Sequence, residues 1–198
     1  MKKEIIQTTI TLYAKYGIKG VTMDQIAKQM CISKKTIYQE FENKEQLVNE
    51  VVNMGNNRIL RIIKGSEAQA QSPLEAVLLI SANLYNYLRS FCPTFYRNIN
   101  RFKSAEKIMD KSKEYTHQRF TYHFLQGVEH EIFIPENDYQ VVSAIYIEQL
   151  KDVQPQHQLT TTFTFLRGIC TTKGQYELKH YANMYNQSNI NYKNIYEK

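Results

Sequence analysis

Two lysines, Lys34 and Lys35, directly follow Ser33 at a point where the sequence predicts the start of a helix. A helix N-terminus carries a partial positive charge, so each lysine in the first turn opposes it by about 0.3–1 kcal/mol. A phosphate at this position would meet two ammonium groups, the amides capped by Ser33 and the helix dipole together. The unfavourable placement of charge in the free protein therefore indicates a polyanionic partner.

Two short predicted helices, at about 23–30 and 34–41, must position these residues. Thr22 and Gln25 have the spacing of a capping box, which marks the start of the first helix. The two helices are separated by only three residues. That arrangement is typical of a helix-turn-helix, whose second helix enters the major groove of DNA.

The second of these helices has two different faces when it is projected at 100° per residue. Ile37 and Phe41 share the apolar face, whereas Lys35, Thr36 and Gln39 lie on the opposite face. Lys, Thr and Gln side chains can bond base edges and phosphates in a major groove. An ordinary solvated helix would have the same pattern, so the pattern alone leaves both interpretations open.

The segment 16-YGIKGVTMDQIAKQMCISKKTIYQEFENKEQLVNEVV-52 resembles the DNA-binding domain of TetR-family (tetracycline repressor-like) transcriptional regulators. That family has a Gly-bearing turn, then T-x-x-x-I-A, a turn ending in Ser, a recognition helix rich in Lys and Thr, and Y-x-x-F-x-x-K-x-x-L. The corresponding residues are Gly17, Thr22, Ile26, Ala27, Ser33, Lys34, Lys35, Thr36, Tyr38, Phe41, Lys44 and Leu47. The resemblance covers about residues 4–55.

The helix projection and the resemblance together predict a set of DNA-contacting residues. The set is Thr22, Ser33, Lys34, Lys35, Thr36, Tyr38, Gln39 and Lys44. Two residues depart from the family pattern. Cys31 stands where the family often has Gly, so either the turn avoids positive φ or Cys31 accepts mild strain. Glu40 stands where the family often has His or Tyr, and it must accept from a cytosine amino group or pair with a lysine.

The charge of the chain is unevenly distributed. The net charge is +6, and residues 1–64 hold 11 Lys and Arg against 6 Asp and Glu, which leaves +1 for residues 65–198. A basic N-terminal third suits a polyanion. The sequence has no run of about 18 apolar residues and no signal peptide, so we expect a cytoplasmic protein without a membrane partner.

The chemistry-bearing residues do not predict an enzyme or a metalloprotein. Cys31, Cys92 and Cys170 are odd in number and far apart, without a CxxC pair or a Cys/His cluster. We expect reduced structural thiols, no metal and no cofactor. The sequence has no recognisable nucleophile–base pair or phosphate loop.

The sequence predicts an all-α protein, because its four prolines and seven glycines lie mostly between stretches with helical spacing. Helices are predicted at about 2–16, 23–30, 34–41, 44–64, 73–90, 94–102, 104–130, 137–152, 157–172 and 175–187. The small polar residues at 65–72 predict a hinge. The predicted domains are an N-terminal three-helix helix-turn-helix DNA-binding domain at 1–46 and a C-terminal helical ligand-binding and dimerisation domain at 47–198.

The resemblance implies that the second domain binds a small-molecule effector and forms a homodimer. Aromatic and polarisable residues predict the ligand pocket, with plain core packing as the alternative: Phe91, Tyr96, Phe102, Met109, His117, Phe120 and Phe124. Apolar residues of two late helices predict the dimer interface, with packing inside one subunit as the alternative: Val142, Ile145, Phe163, Leu166 and Ile169.

The predicted function is that of a repressor. It would bind a near-palindromic double-stranded DNA operator as a homodimer and be released by a small-molecule effector. The alternative is a TetR-fold protein that acts mainly through protein–protein contacts, with DNA as an anchor. A stable partner other than DNA would favour the alternative.

Overall fold

The computed structural model describes residues 1–152 and 154–187, and these form ten α-helices and one 3-10 turn. The helices are α1 Lys2–Tyr16, α2 Met23–Gln29, α3 Lys34–Glu40, α4 Lys44–Gln69, α5 Pro73–Leu88, α6 Pro93–Ile99, α7 Lys103–Glu129, α8 Tyr139–Asp152, α9 Gln158–Ile169 and α10 Thr172–Gln187, and the 3-10 turn is Pro155–His157. Extended pairing within the described residues is limited to one bridge between Phe133 and Cys170. The all-α prediction is confirmed.

The predicted helices agree with the observed ones to within a few residues, except at the end of α4. The predicted hinge at 65–72 is wrong for its first five residues, since α4 continues to Gln69. A Cβ added to Gly65 would meet nothing within 4 Å, so this glycine lies in open space within the helix. The following Glu, Ala and Gln residues are good helix formers, and they outweigh the small polar character of the segment.

The chain forms two compact units, and neither is continuous in sequence. The first unit consists of Met1–Gly65 and Ala82–Thr116, and the second consists of Ser66–Ser81 and the chain from His117 onward. The predicted boundary between residues 46 and 47 separates a DNA-binding domain from a ligand-binding and dimerisation domain, and it stays a prediction. Among the described residues, no helix combines the length and the apolar character needed to cross a membrane.

The core of the first unit anchors the helix-turn-helix. Side chains from α1 to α4 are fully buried there, and burying each contributes about 1.5–3 kcal/mol. The group includes Ile5, Tyr13, Ile26, Ile37, Phe41, Leu47 and Val48. Because α2 and α3 each contribute to this core, their orientation is set by packing and not by the turn alone.

The end of α1 is held against α6 in the same unit. The N–H of Cys92 donates to the carbonyl of Ala14 at 2.8 Å, and the N–H of Lys19 donates to Asn98 Oδ1 at 3.1 Å. Gly17 has a φ of +71°, and a Cβ added there would lie 2.6 Å from Thr94 Oγ1. Only glycine therefore fits this junction without strain.

The core of the second unit is mainly aromatic. Phe120 and Phe124 on α7 are fully buried, and the ring of Tyr146 on α8 packs against them at 5.3 and 5.8 Å between centroids. The Tyr146 hydroxyl lies 2.7 Å from Ser81 Oγ, so its polar end is also satisfied. Packing therefore positions all three rings, and a hydrogen bond also orients Tyr146.

Candidate nucleic-acid interface

Side-chain caps define the starts of α2 and α3. The N–H of Gln25 donates to Thr22 Oγ1 at 3.2 Å, and the N–H of Thr22 donates to Gln25 Oε1 at 2.7 Å, so the predicted capping box is confirmed. The N–H of Thr36 donates to Ser33 Oγ at 3.1 Å, which confirms Ser33 as the N-cap of α3. Each cap is worth about 1 kcal/mol. Both hydroxyls are thereby held at exposed helix starts.

The turn between α2 and α3 contains a strained residue. Cys31 is exposed and has a φ of 54°, and the N–H of Ile32 donates back to the carbonyl of Ala27 at 3.0 Å. Of the two alternatives for Cys31, the structure has the strained one. A non-glycine residue in this left-handed region costs about 1–2 kcal/mol.

The two predicted faces of α3 are confirmed by burial. Ile37 and Phe41 are completely buried, whereas Lys35 and Gln39 are exposed and the Tyr38 side chain is 43% exposed. Thr36 is partly buried, because its side chain lies beside the Ser33 cap with 2.8 Å between their hydroxyl oxygens. The apolar face fixes the helix in the core, and the polar face is left accessible.

The two lysines at the start of α3 differ in their surroundings. Lys34 Nζ lies 2.7 Å from Asp24 Oδ1 of α2 and 5.9 Å from the centroid of the Tyr38 ring. The hydrogen bond with Asp24 raises the pKa of Lys34. Lys35 is exposed and makes no ion pair with any described residue.

Asp24 was absent from the predicted set. Its carboxylate lies beside the Lys34 ammonium group and balances its charge. Both side chains are more than half exposed, and such an exposed ion pair contributes little to stability. The only signal in the sequence was the place of Asp24 on the outward side of α2.

Lys44 at the start of α4 has a structural role as well as a predicted one. Its Nζ donates to the carbonyl of Ile18 at 2.6 Å and to that of Val21 at 2.5 Å. The side chain is partly buried, and burial lowers its pKa. The ammonium group therefore holds the turn between α1 and α2, while its contact with DNA stays a prediction.

Glu40 is partly exposed at the end of α3. It makes no ion pair within the described part of the chain, so the lysine-pairing alternative is not realised there. Its acceptance of a hydrogen bond from a base stays a prediction.

The seven predicted pocket residues fall into different units. Phe91, Tyr96, Phe102 and Met109 are partly buried against the core of the first unit, and Tyr96 donates its hydroxyl proton to the carbonyl of Leu88 at 2.7 Å. In the second unit Phe120 and Phe124 belong to the aromatic core, and His117 Nε2 donates to the carbonyl of Gln140 at 2.9 Å. The ligand pocket built on these residues stays a prediction.

The five predicted dimer residues differ in exposure. Leu166 is completely buried within the chain and Phe163 is nearly so, which means that their burial requires no partner. Val142 and Ile169 are partly exposed, and Ile145 is 53% exposed. Those three are the members whose surfaces remain available to a second subunit, and the interface stays a prediction.

A cavity in the second unit lies between α9 and α10. Its volume is about 520 Å³, and none of the seven predicted pocket residues lines it. Two cations, Arg167 and Lys179, stand at its wall, and Phe163 and Leu178 provide apolar surface. No group of three or more His, Cys, Asp or Glu side chains suited to a metal ion occurs in the residues that the structure describes.

Comparison with known proteins finds a family model that matches the helix-turn-helix segment. Residues 5–51 match the model of the family described as bacterial regulatory proteins, tetR family. The chain is 30% identical over 91 residues to IcaR of Staphylococcus aureus, the biofilm operon icaADBC HTH-type negative transcriptional regulator, and the alignment covers 46% of this chain and 45% of that protein. IcaR of Staphylococcus epidermidis is 38% identical over 52 residues, which are 26% of this chain and 28% of that protein. The chain thus matches less than half the length of these curated relatives.

Solved structures match most of the chain. A TetR-family transcriptional regulator from Marinobacter aquaeolei superposes with a TM-score of 0.79 at 13% identity, over 93% of this chain and 98% of that one. The ketosteroid transcriptional regulator KstR2 of Mycobacterium tuberculosis gives a TM-score of 0.67 at 17% identity, over 86% and 95%. At these identities the likeness shows the fold, an N-terminal helix-turn-helix followed by a helical domain.

Proposed function

We propose that this chain is a DNA-binding transcriptional regulator of the TetR family, with α3 as its recognition helix. The observation that carries the proposal is the division of α3 into two faces. Ile37 and Phe41 are completely buried, while Lys35 and Gln39 are exposed on the other side. A helix anchored in this way holds its polar side chains at fixed positions, as the reading of base edges requires.

The start of α3 supplies the phosphate site of the proposed interface. Lys34 exchanges its partner Asp24 for a DNA phosphate, and Lys35 adds a second cation that has no ion-pair partner among the described residues. The amides of the first turn and the helix dipole act on the same phosphate. Phosphate contacts of this kind fix the register of the helix in the groove, and Gln39 and Tyr38 then face the bases and the backbone.

The proposed regulator is a homodimer that represses transcription in the cytoplasm, where its operator lies. Two recognition helices enter successive major grooves of a near-palindromic site, with half-sites one helical turn or a multiple apart. IcaR is a negative transcriptional regulator, which supports repression. A small-molecule effector bound in the second unit releases the DNA by favouring a different dimer geometry, which requires different affinities for the two states.

Footprinting on genomic DNA with the purified protein tests this proposal. We expect discrete protected sites whose halves are related by a twofold axis and spaced by about 10 base pairs or a multiple. Uniform protection of all DNA, or none, would overturn the proposal. The footprinted site also identifies the neighbouring genes.

A double variant then tests the residues. Lys34→Ala with Lys35→Ala should weaken binding to the footprinted site and flatten the slope of log affinity against log salt by about 0.9 for each phosphate that the variant no longer neutralises. Lys173→Ala with Lys179→Ala is a control with the same change of charge, placed on α10 of the second unit. Equal slopes for the two double variants would remove Lys34 and Lys35 from the interface.

A further inference from the structure

The first compact unit contains more basic charge than its helix-turn-helix accounts for. Residues 1–65 hold 11 Lys and Arg against 6 acids, and residues 82–116 hold 7 against 3, so the first unit has a net charge of +9. The rest of the chain then has a net charge of −3. A polyanion is therefore attracted to the whole first unit, including the part that follows α5.

Five cations of the second segment are exposed and close in sequence. They form what we call the second basic surface: Arg97, Arg101, Lys103, Lys107 and Lys111. None of the five makes an ion pair with a described residue. The nearby carboxylate of Asp110 lies 2.9 Å from Nζ of Lys113, which is not one of the five. Glu106 is partly buried and likewise makes no ion pair in the described part of the chain.

The three lysines of this surface are regularly spaced on one side of α7. Lys103, Lys107 and Lys111 follow one another at intervals of four residues, which is about 6 Å along the helix axis. Like charges at this interval destabilise a helix by about 0.2–0.5 kcal/mol per pair, and Lys103 also opposes the helix dipole. Glu106, Asp110 and Glu114 each follow one of these lysines by three residues and offset part of this repulsion.

A hydrogen bond from a backbone N–H joins the helix-turn-helix to α6, the helix that contains Arg97. Asn98 on α6 accepts a hydrogen bond from the N–H of Lys19, an exposed residue in the turn before α2. Arg97 is the neighbour of Asn98, and Thr22, at the start of α2, is three residues from Lys19. The turn before α2 is thus held against α6, next to the first cation of the second basic surface.

We propose that the second basic surface binds the phosphate backbone of DNA that flanks the site read by α3. The inference rests on the proposed function, since it assigns a further part of the same unit to the same DNA. Phosphates of one strand are about 3.4 Å apart along the duplex, so lysines about 6 Å apart match every second phosphate. These contacts carry no base specificity and add affinity for longer DNA.

The surface is less suited to a lipid membrane. Peripheral membrane helices insert exposed apolar side chains between their cations. No large apolar side chain between residues 39 and 121 of the described chain is exposed. Ala105, which lies between Lys103 and Lys107, is completely buried. Charge without apolar anchors favours a polyanion in solution.

Duplex length provides the test. Two duplexes, of about 20 and about 60 base pairs, are centred on the footprinted site, and affinity is measured by fluorescence anisotropy at several salt concentrations. The wild-type chain should bind the longer duplex more tightly and with a steeper salt slope. The triple variant K103Q/K107Q/K111Q should abolish that difference, with a decrease of about 0.9 in slope per neutralised phosphate and at least about a tenfold weaker affinity for the long duplex at 0.1 M salt.

Four further measurements make the outcomes distinct. The variant R167Q/K173Q/K179Q removes the same charge from the second unit and should behave as wild type. Binding of the short duplex should be unchanged in K103Q/K107Q/K111Q and weakened in K34A/K35A. Thermal unfolding verifies that the triple variant is folded, and K107E provides a single substitution with the same expected direction.

Two results would overturn the inference. In the first, the wild type and the triple variant have the same salt slope for binding to the long duplex. In the second, the triple variant no longer binds vesicles with about 30% phosphatidylserine, although its salt slopes for DNA binding are unchanged. That result would assign the surface to lipid binding. If wild type gives no discrete footprint but a random duplex of about 60 base pairs still binds through these lysines, the basic surface stands and the proposed regulator fails.

Discussion

Replacing Lys44 by Met tests how the start of α4 holds the turn before α2. The ammonium group donates to the carbonyls of Ile18 and Val21 at 2.6 and 2.5 Å, and Met has a similar length but no donor. Hydrogen bonds from a charged donor contribute about 1.5–3 kcal/mol each. Lys44 itself is only partly buried, so we expect the two bonds together to contribute about 2–3 kcal/mol.

The assay is thermal unfolding followed by circular dichroism at pH 7. A loss of about 2–3 kcal/mol in a chain of this size lowers the Tm by about 4–12 °C. Lys35→Met is the matched control, because Lys35 is exposed and its replacement should change the free energy of unfolding by less than about 0.5 kcal/mol. A K44M variant as stable as K35M would refute the structural role.

The same two variants distinguish a structural role of Lys44 from a contact with DNA. If Lys44 only binds a DNA phosphate, K44M should flatten the slope of log affinity against log salt by about 0.9 and leave the Tm unchanged. If Lys44 only stabilises the turn before α2, K44M should lower the Tm and weaken DNA binding without a change in that slope. A change in both would assign both roles to one ammonium group.

Other substitutions test the remaining features of the structure. Cys31→Gly should raise the free energy of unfolding by about 1 kcal/mol, because glycine accepts a φ of 54° without strain, and an unchanged denaturation midpoint would contradict this. Tyr13→Phe should be neutral or stabilising by up to about 1 kcal/mol, since the buried hydroxyl has no partner among the described residues, and a decrease in stability of more than about 1 kcal/mol would reveal one. Burial lowers the pKa of His123 below 6.5, so the unfolded chain takes up more protons as the pH falls through that value, and stability should decrease from pH 7 to pH 5. The decrease in Tm should be smaller in His123→Gln, and an equal decrease in both proteins would exclude this histidine as its source.

The helix-turn-helix was accessible to sequence reasoning because its signals are local. The Thr22 box and the Ser33 cap join residues three positions apart. Ile37 and Phe41 are one helical turn apart and are both completely buried. Signals within one turn of helix require no knowledge of the rest of the fold.

The other site features depend on contacts between distant residues. Lys34 meets Asp24 across the turn between two helices, ten residues away. The carbonyls bound by Lys44 lie 23 and 26 residues before it. Lys34 and Lys44 both begin a helix, but their partners differ. Lys34 is paired with an exposed carboxylate, whereas Lys44 donates to two backbone carbonyl oxygens.

The sequence by itself determined the all-α class, the helices of the described chain to within a few residues, and the polar and apolar faces of α3. The tertiary structure decided that residues 82–116 join the N-terminal segment, which raises the charge of that unit to +9. It also decided that Leu166 is buried within its own chain. The physical reason is range: helix periodicity and capping act over three or four residues, whereas burial and charge grouping depend on which distant segments pack together.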